Sequence, residues 1–152
     1  MENSGGAKAT LACISCGKLN RIDLSLVSRL PKCGSCGSPI HLDKPASIDD
    51  RTMEKVVTGT DVPVLVDFYA DWCGPCKSMA PQIEEMARAH SGRAVIAKLD
   101  TDRSPQMAGR FGIRGIPTLI VFSRGREVGR EVGAVPRPTL EALLQKAHGN
   151  AS

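Results

Sequence analysis

The chain has 152 residues, 41% of them hydrophobic and 24% charged, which suits one ordinary domain with a small annex and excludes a large multidomain enzyme. The formal net charge is +4, and most of the excess falls in residues 1–45, where no basic run with interleaved aromatics marks a nucleic-acid footprint. No apolar run approaches the roughly 20 residues of a membrane span, and Met1 to Lys8 carry neither the basic nor the apolar block of a secretory signal, so a cytoplasmic address is expected.

Six cysteines stand against five aromatics, Phe68, Tyr69, Trp72, Phe111 and Phe122. In a reducing compartment that ratio points to metal binding or redox catalysis before structural disulfides. Residues 1–9 are small and polar and read as a flexible tail. Residues 10–43 hold four cysteines, scattered aliphatics and no aromatic, too little for a free-standing core, so the segment needs a staple.

Cys13-x-x-Cys16, sixteen residues, then Cys33-x-x-Cys36 has the spacing of a zinc site. Two residues between cysteines let one tight turn aim both thiolates at one ion, and the spacer is expected to form a hairpin that returns the second pair. Gly17, Gly34 and Gly37 supply permissive backbone. Four thiolates fill a zinc ion's tetrahedral shell and leave no position for substrate, so one structural Zn2+ is expected, with two reversible disulfides, another soft metal or free thiols as alternatives. His41 is surplus to that set and reads as a surface residue.

Residues 44–47 are the expected linker, 48–147 the main domain and 148–152 a second tail. Met53, Val56 and Val57 mark a first helix, capped by Asp49 or Asp50 and ended by Gly59. Val62 to Phe68 is a β-rich run typical of a strand buried on both faces, and Ala94 to Leu99 and Thr118 to Phe122 read the same way. Between the first two strands, Met79, Ile83, Met86, Ala87 and His90 form one apolar helical stripe ended by Gly92, so strand, helix and strand make a parallel crossover. Ser104 is the expected N-cap of a short helix over Pro105 to Arg110. Glu127 to Val132 returns as an antiparallel strand after a turn at Ser123 to Arg126, and a last helix opens at Pro138 and buries Leu140, Leu143, Leu144 and Ala147.

Trp72-Cys73-Gly74-Pro75-Cys76-Lys77 follows a buried strand and opens a helix, the setting of a redox Cys-x-x-Cys. Unpaired N–H groups and the positive dipole end at the helix start favour a thiolate on Cys73, the expected nucleophile, while Cys76, one turn further in, is expected to be the more buried of the two. No organic cofactor is called for.

The run Val66 to Lys77, with Gly115-Ile116-Pro117-Thr118 and Gly133-Ala134 following in order, resembles the thioredoxin family from about Ile48 to Ala147. With the four-cysteine segment in front, the chain from about Thr10 resembles the zinc-containing, second-thioredoxin branch of that family in bacteria. The resemblance implies an α/β thioredoxin fold, a central mixed sheet flanked by helices, with a small zinc-ribbon-like domain before it. It also implies protein-disulfide reduction by a monomer that receives electrons from an NADPH-dependent thioredoxin reductase and acts on disulfide-containing proteins.

By the same resemblance, Asp67 is the buried carboxylate behind the cysteine pair, with Lys98 near it. An acid in a doubly buried strand needs a task or a partner, so a structural ion pair with Lys98 is the alternative. Pro117 is implied to be a cis-proline whose preceding residue, Ile116, pairs with extended substrate. Trp72, Gly74, Pro75, Ile116, Pro117, Gly133 and Ala134 would form the substrate-binding surface, with ordinary loop chemistry as the alternative, above all for Gly133 and Ala134. Pro81 resembles the family's helix-bending proline, and Tyr69 stands where many members have tryptophan. Two further readings stay open, a net oxidase or isomerase and a zinc-ribbon adaptor on a thioredoxin scaffold.

Overall fold

A computed structural model describes residues 6–149. Residues 1–5 and 150–152, the outer parts of the two expected tails, lie outside the described residues.

The annex begins earlier than expected. Strand β1 (Lys8–Ala12) pairs antiparallel with β2 (Leu19–Asp23), and alternation along β1 turns Ala9 and Leu11 inward, which anchors residues read as tail. The spacer between the cysteine pairs does not fold back on itself as a hairpin. Instead each pair sits in the turn of its own small hairpin: Cys13–Cys16 between β1 and β2, and Cys33–Cys36 inside a Lys32–Pro39 bridge, with a 3-10 turn over Leu24–Arg29 between them.

The main sheet has five strands in the order β3-β5-β4-β6-β7, formed by β3 (Ala46–Ile48), β4 (Val64–Tyr69), β5 (Val95–Asp100), β6 (Thr118–Ser123) and β7 (Arg126–Val132). β3 and β4 run parallel to β5, whereas β4–β6 and β6–β7 are antiparallel, giving the expected mixed sheet. β3 lies across the expected linker: Ala46, Ser47 and Ile48 pair with Ala97, Lys98 and Leu99. Three residues carry no readable period, and it is the neighbouring strand that makes them extended.

Helices α1 (Met53–Thr58) and α3 (Pro105–Arg110) cover one face, α2 (Gly74–Ala89) and α4 (Arg137–Gly149) the other. Strand alternation sorts the core accordingly. Val64, Val66 and Phe68 join Val95, Ala97, Leu99, Ile120 and Phe122 on the α1 face, and that core is continuous with Ala9, Leu11, Cys13, Ile22, Leu24, Cys33 and Ile40 of the annex. Phe111 completes it, 5.4 Å edge-on to Phe122 and 6.1 Å from Phe68. Leu65, Ile96, Leu119 and Val121 face the helical stripe of Met79, Ile83, Met86 and Ala87 and the α4 residues Leu140, Leu143, Leu144 and Ala147.

Helix capping departs from expectation in one respect. Asp49 does serve α1: its Oδ1 accepts from the Thr52 N–H at 3.1 Å while Thr52 Oγ1 accepts from the Asp49 N–H, also at 3.1 Å. Ser104 makes no capping bond to α3, and its hydroxyl is buried without a partner. Asp50 caps α3 from a distance, accepting from Gln106 N–H at 3.1 Å and Met107 N–H at 2.8 Å.

Candidate active site

β4 delivers the chain at its C-terminal end into Ala70–Trp72, and α2 starts at once at Gly74, with Pro75 in its first turn. Cys73 is the N-cap residue: its backbone is extended and its Sγ accepts the Cys76 N–H at 3.2 Å, satisfying one orphan donor of the helix. Cys73 and Cys76 form a disulfide with Cα atoms 5.3 Å apart. The expected difference in burial is not seen, since the cysteines are 4% and 5% exposed. Cys73 Sγ lies 3.8 Å from the Ile116 carbonyl oxygen, in the loop before β6.

That loop contains the cis Ile116–Pro117 bond. It is held by Thr118 Oγ1 donating to the Gly115 carbonyl and by Gly133 N–H donating to the Pro117 carbonyl at 2.7 Å. Gly133 has φ +96°, a conformation that side chains disfavour, so the glycine belongs to this turn. Ile116 and Tyr69 pack against Ala70, Cys73 and Cys76. Gly74, Pro75 and Ala134 are exposed, and Pro117 is buried.

Trp72 is 70% exposed, yet its indole is not loose, because Nε1 donates to Asp102 Oδ2 at 2.8 Å. The sequence carries no direct sign of Asp102. Its only signal is indirect: β4 and β5 are parallel, so Ala70–Trp72 and Thr101–Arg103 leave the sheet at the same end.

Asp67 lies opposite Lys98 on β5 and Leu119 on β6. It is 2% exposed, and among the described residues its Oδ1 has no hydrogen-bond partner. Burial pushes its carboxyl up to about 6, against the opposing pull of the Lys98 charge. Among the described residues no ion pair joins the two. Lys98 Nζ sits instead over the Tyr69 ring, 4.6 Å from its centroid.

The second cysteine group begins at the C-terminal end of β1. The sulfurs of Cys13, Cys16, Cys33 and Cys36 all lie within 4.8 Å of one another, with Cys13–Cys36 and Cys16–Cys33 each at 3.6 Å. A tetrahedron with metal–sulfur distances of about 2.3 Å has edges of about 3.8 Å, so the quartet fits one zinc-sized ion. The two turns repeat one design: Gly17 N–H donates to Cys13 O at 2.8 Å and Gly37 N–H to Cys33 O at 2.9 Å, with φ +81° and +79° at the glycines. Backbone N–H groups of Cys36 and Ser35 lower the Cys33 thiol to about 6, whereas Cys16, despite its Lys18 backbone hydrogen bond, is raised to about 11 by burial and the neighbouring sulfurs. His41 is outside the cluster, 4.0 Å from Asp43.

Residues 44–146 match the family model described as Thioredoxin. The chain belongs to the thioredoxin family. Thiol–disulfide exchange is accordingly its enzymatic activity, and the Cys73–Cys76 disulfide is where a thioredoxin carries it out. Thioredoxin 1 of Nostoc sp. is 48% identical over 101 residues, covering 66% of this chain and 94% of that protein. Thioredoxin C-3 of Corynebacterium nephridii is 34% identical over 144 residues, covering 92% of this chain and 99% of its own, so that likeness extends beyond the thioredoxin body into the four-cysteine segment. Among solved structures, a mutant thioredoxin from Halobacterium salinarum superposes with a TM-score of 0.64 at 36% identity, over 70% of this chain and 92% of that one. No helix among the described residues is long and apolar enough to cross a membrane.

Proposed function

We propose that this thioredoxin is a cytoplasmic protein-disulfide reductase of the zinc-containing second type. The observation that carries the reading is the cysteine pair at the start of α2, packed beneath the Ile116 carbonyl and set on the sheet face that holds Asp67.

In the reduced protein the Cys73 thiolate, stabilised by the helix N-terminus, attacks a substrate disulfide. One substrate sulfur leaves as a thiolate, and the other stays bound to Cys73. Asp67 takes the Cys76 proton. Cys76 sulfur then attacks Cys73 sulfur, the mixed disulfide breaks, and the substrate leaves fully reduced while the enzyme holds the Cys73–Cys76 disulfide. The exposed Trp72, Gly74 and Pro75 together with Ile116, Pro117, Gly133 and Ala134 form the surface on which an extended substrate segment lies, its backbone meeting that of Ile116. Two electrons from an NADPH-dependent thioredoxin reductase restore the dithiol.

Cys13, Cys16, Cys33 and Cys36 hold one zinc ion, which supplies cross-linking of the annex and no chemistry. The closeness of the four sulfurs and the long alignment with Thioredoxin C-3 support this assignment. Cys73→Ser tests the catalytic reading: turnover of insulin disulfides with a thioredoxin reductase is expected to vanish, and retained turnover would remove Cys73 from its role. Equilibration of the dithiol with glutathione tests direction, an oxidising potential favouring an oxidase. Metal and thiol quantification on the reduced protein is expected to give one zinc per chain and two reactive thiols.

A further inference from the structure

Lys98 is directly opposite Asp67 in the β4–β5 register, with its chain on the same face, yet it makes no ion pair with that carboxylate among the described residues. A lysine has ample reach to close on an unpartnered acid beside it, and in a buried setting the attraction is strong. Something holds the ammonium elsewhere. Among the described residues it sits over the face of Tyr69, 4.6 Å from the ring centroid, two residues along β4 from Asp67 and on the same side of the strand. Tyr69 also packs against the cluster of Ala70, Cys73 and Cys76, so the residue joins the surroundings of the redox pair to the lysine.

We propose that Tyr69 is a positioning residue for Asp67, its ring tethering Lys98 so that the carboxylate stays unpaired and free to exchange the Cys76 proton. The proposal rests on the reading of Asp67 as the proton acceptor. A paired Asp67 would remain ionised and be a poorer base; an Asp67 with no cation in reach would be harder to ionise at all. The tether holds the charge close enough to act and too far to bond.

The other groups facing Asp67 do not supply this control. Leu119 on β6 is apolar, the buried residues at the start of α2 on that side of the sheet are Cys76, Met79 and Ile83, and among the described residues Lys98 is the charge that acts on the carboxyl. Burial first, then the charges of Asp100, Asp71 and Asp67, raise the Tyr69 phenol against the pull of Arg103, so the ring stays neutral.

The test follows the Asp67 carboxyl by carbon NMR across pH, alongside the pH profile of insulin reduction, in the full chain. In Tyr69→Leu the lysine swings onto Asp67, and both the carboxyl midpoint and the acid limb of the profile move about one pH unit lower. Tyr69→Phe and Tyr69→Trp keep a ring face and keep the original midpoint. Adding Lys98→Met to Tyr69→Leu cancels the downward movement. An unmoved carboxyl midpoint in Tyr69→Leu, or the same downward movement with Lys98 absent, overturns the tether. Should Tyr69→Leu fail to fold, Tyr69→Met takes its place with the same outcomes expected, and in the parent Lys98→Met raises the carboxyl midpoint, no change there overturning the tether. Asp67→Asn separates the underlying reading, since an unchanged profile there removes Asp67 as the base while the NMR titration still judges the tether.

Discussion

Thr10 Oγ1 donates to the Gly59 carbonyl oxygen at 3.0 Å, joining the first strand of the annex to the end of α1. The seam continues on both sides: Lys8 N–H reaches Asp61 Oδ2 at 2.9 Å, Asp61 N–H reaches Lys8 O at 2.8 Å, and Arg21 also donates to the Gly59 carbonyl. A Cβ on Gly59 would stand 2.6 Å from the Lys55 carbonyl oxygen and 2.7 Å from Thr10 Oγ1, so the close approach depends on glycine. Gly59→Ala is therefore expected to cost about 1–3 kcal/mol in denaturant unfolding. A loss below a few tenths would mean the seam yields without strain.

Metal removal should be felt well past the cysteines. Cys13 and Cys33 belong to the same apolar core as Val56, Val57 and Phe68, with no boundary layer between annex and body. With the quartet holding zinc as proposed, chelation under reducing conditions is expected to lower the melting temperature of the entire chain in one transition. Hydrogen exchange should rise in β3 and α1 as well as in β1 and β2, and less in α2 and α4 on the opposite face. Two separate transitions, with the thioredoxin body melting unchanged, would show that the annex is only an attachment.

Asp50 holds α3 by two backbone hydrogen bonds across 56 and 57 residues of chain. Asp50→Ala leaves the Met107 N–H half-buried without its acceptor and is expected to destabilise the protein by about 1 kcal/mol. Asp50→Asn keeps an acceptor and should recover most of the loss. Equal effects from both substitutions would place the carboxylate's value in its charge at the helix start.

What the amino-acid order discloses follows from which forces act locally. Val64 to Tyr69 and Thr118 to Ser123 are legible because buried central strands are almost wholly apolar, and Met79, Ile83 and Met86 because a helix repeats its buried side. The cysteine pair is legible because its chemistry fixes its place at a helix start. Ala46–Ile48, the Asp50 cap and the Trp72–Asp102 bond are decided by partners far along the chain, and no window around those residues contains the partner. Ser104 shows the reverse case: local order suggests a cap, and a distant carboxylate takes the position.

Asp67 makes stability depend on pH in a direction that distinguishes it from ordinary acids. Its carboxyl sits at about 6 in the folded chain against an ordinary 3.8, so between those values the folded state binds more protons than the unfolded one. Its contribution to stability is thus fully present below about pH 4 and is lost as pH rises through about 6. At pH 7.5 the ionised, unpartnered carboxylate costs on the order of 3 kcal/mol relative to a group that is not displaced. Asp67→Asn removes that cost, and the oxidised variant is expected to be more stable than the parent at pH 7.5 by up to about that amount, with the difference shrinking toward zero near pH 4. Urea unfolding of both proteins at the two pH values measures it. A variant that is less stable at pH 7.5 would mean the carboxylate is paired in solution, and the Lys98 ammonium, the nearest cation across β5, would be the partner to remove next.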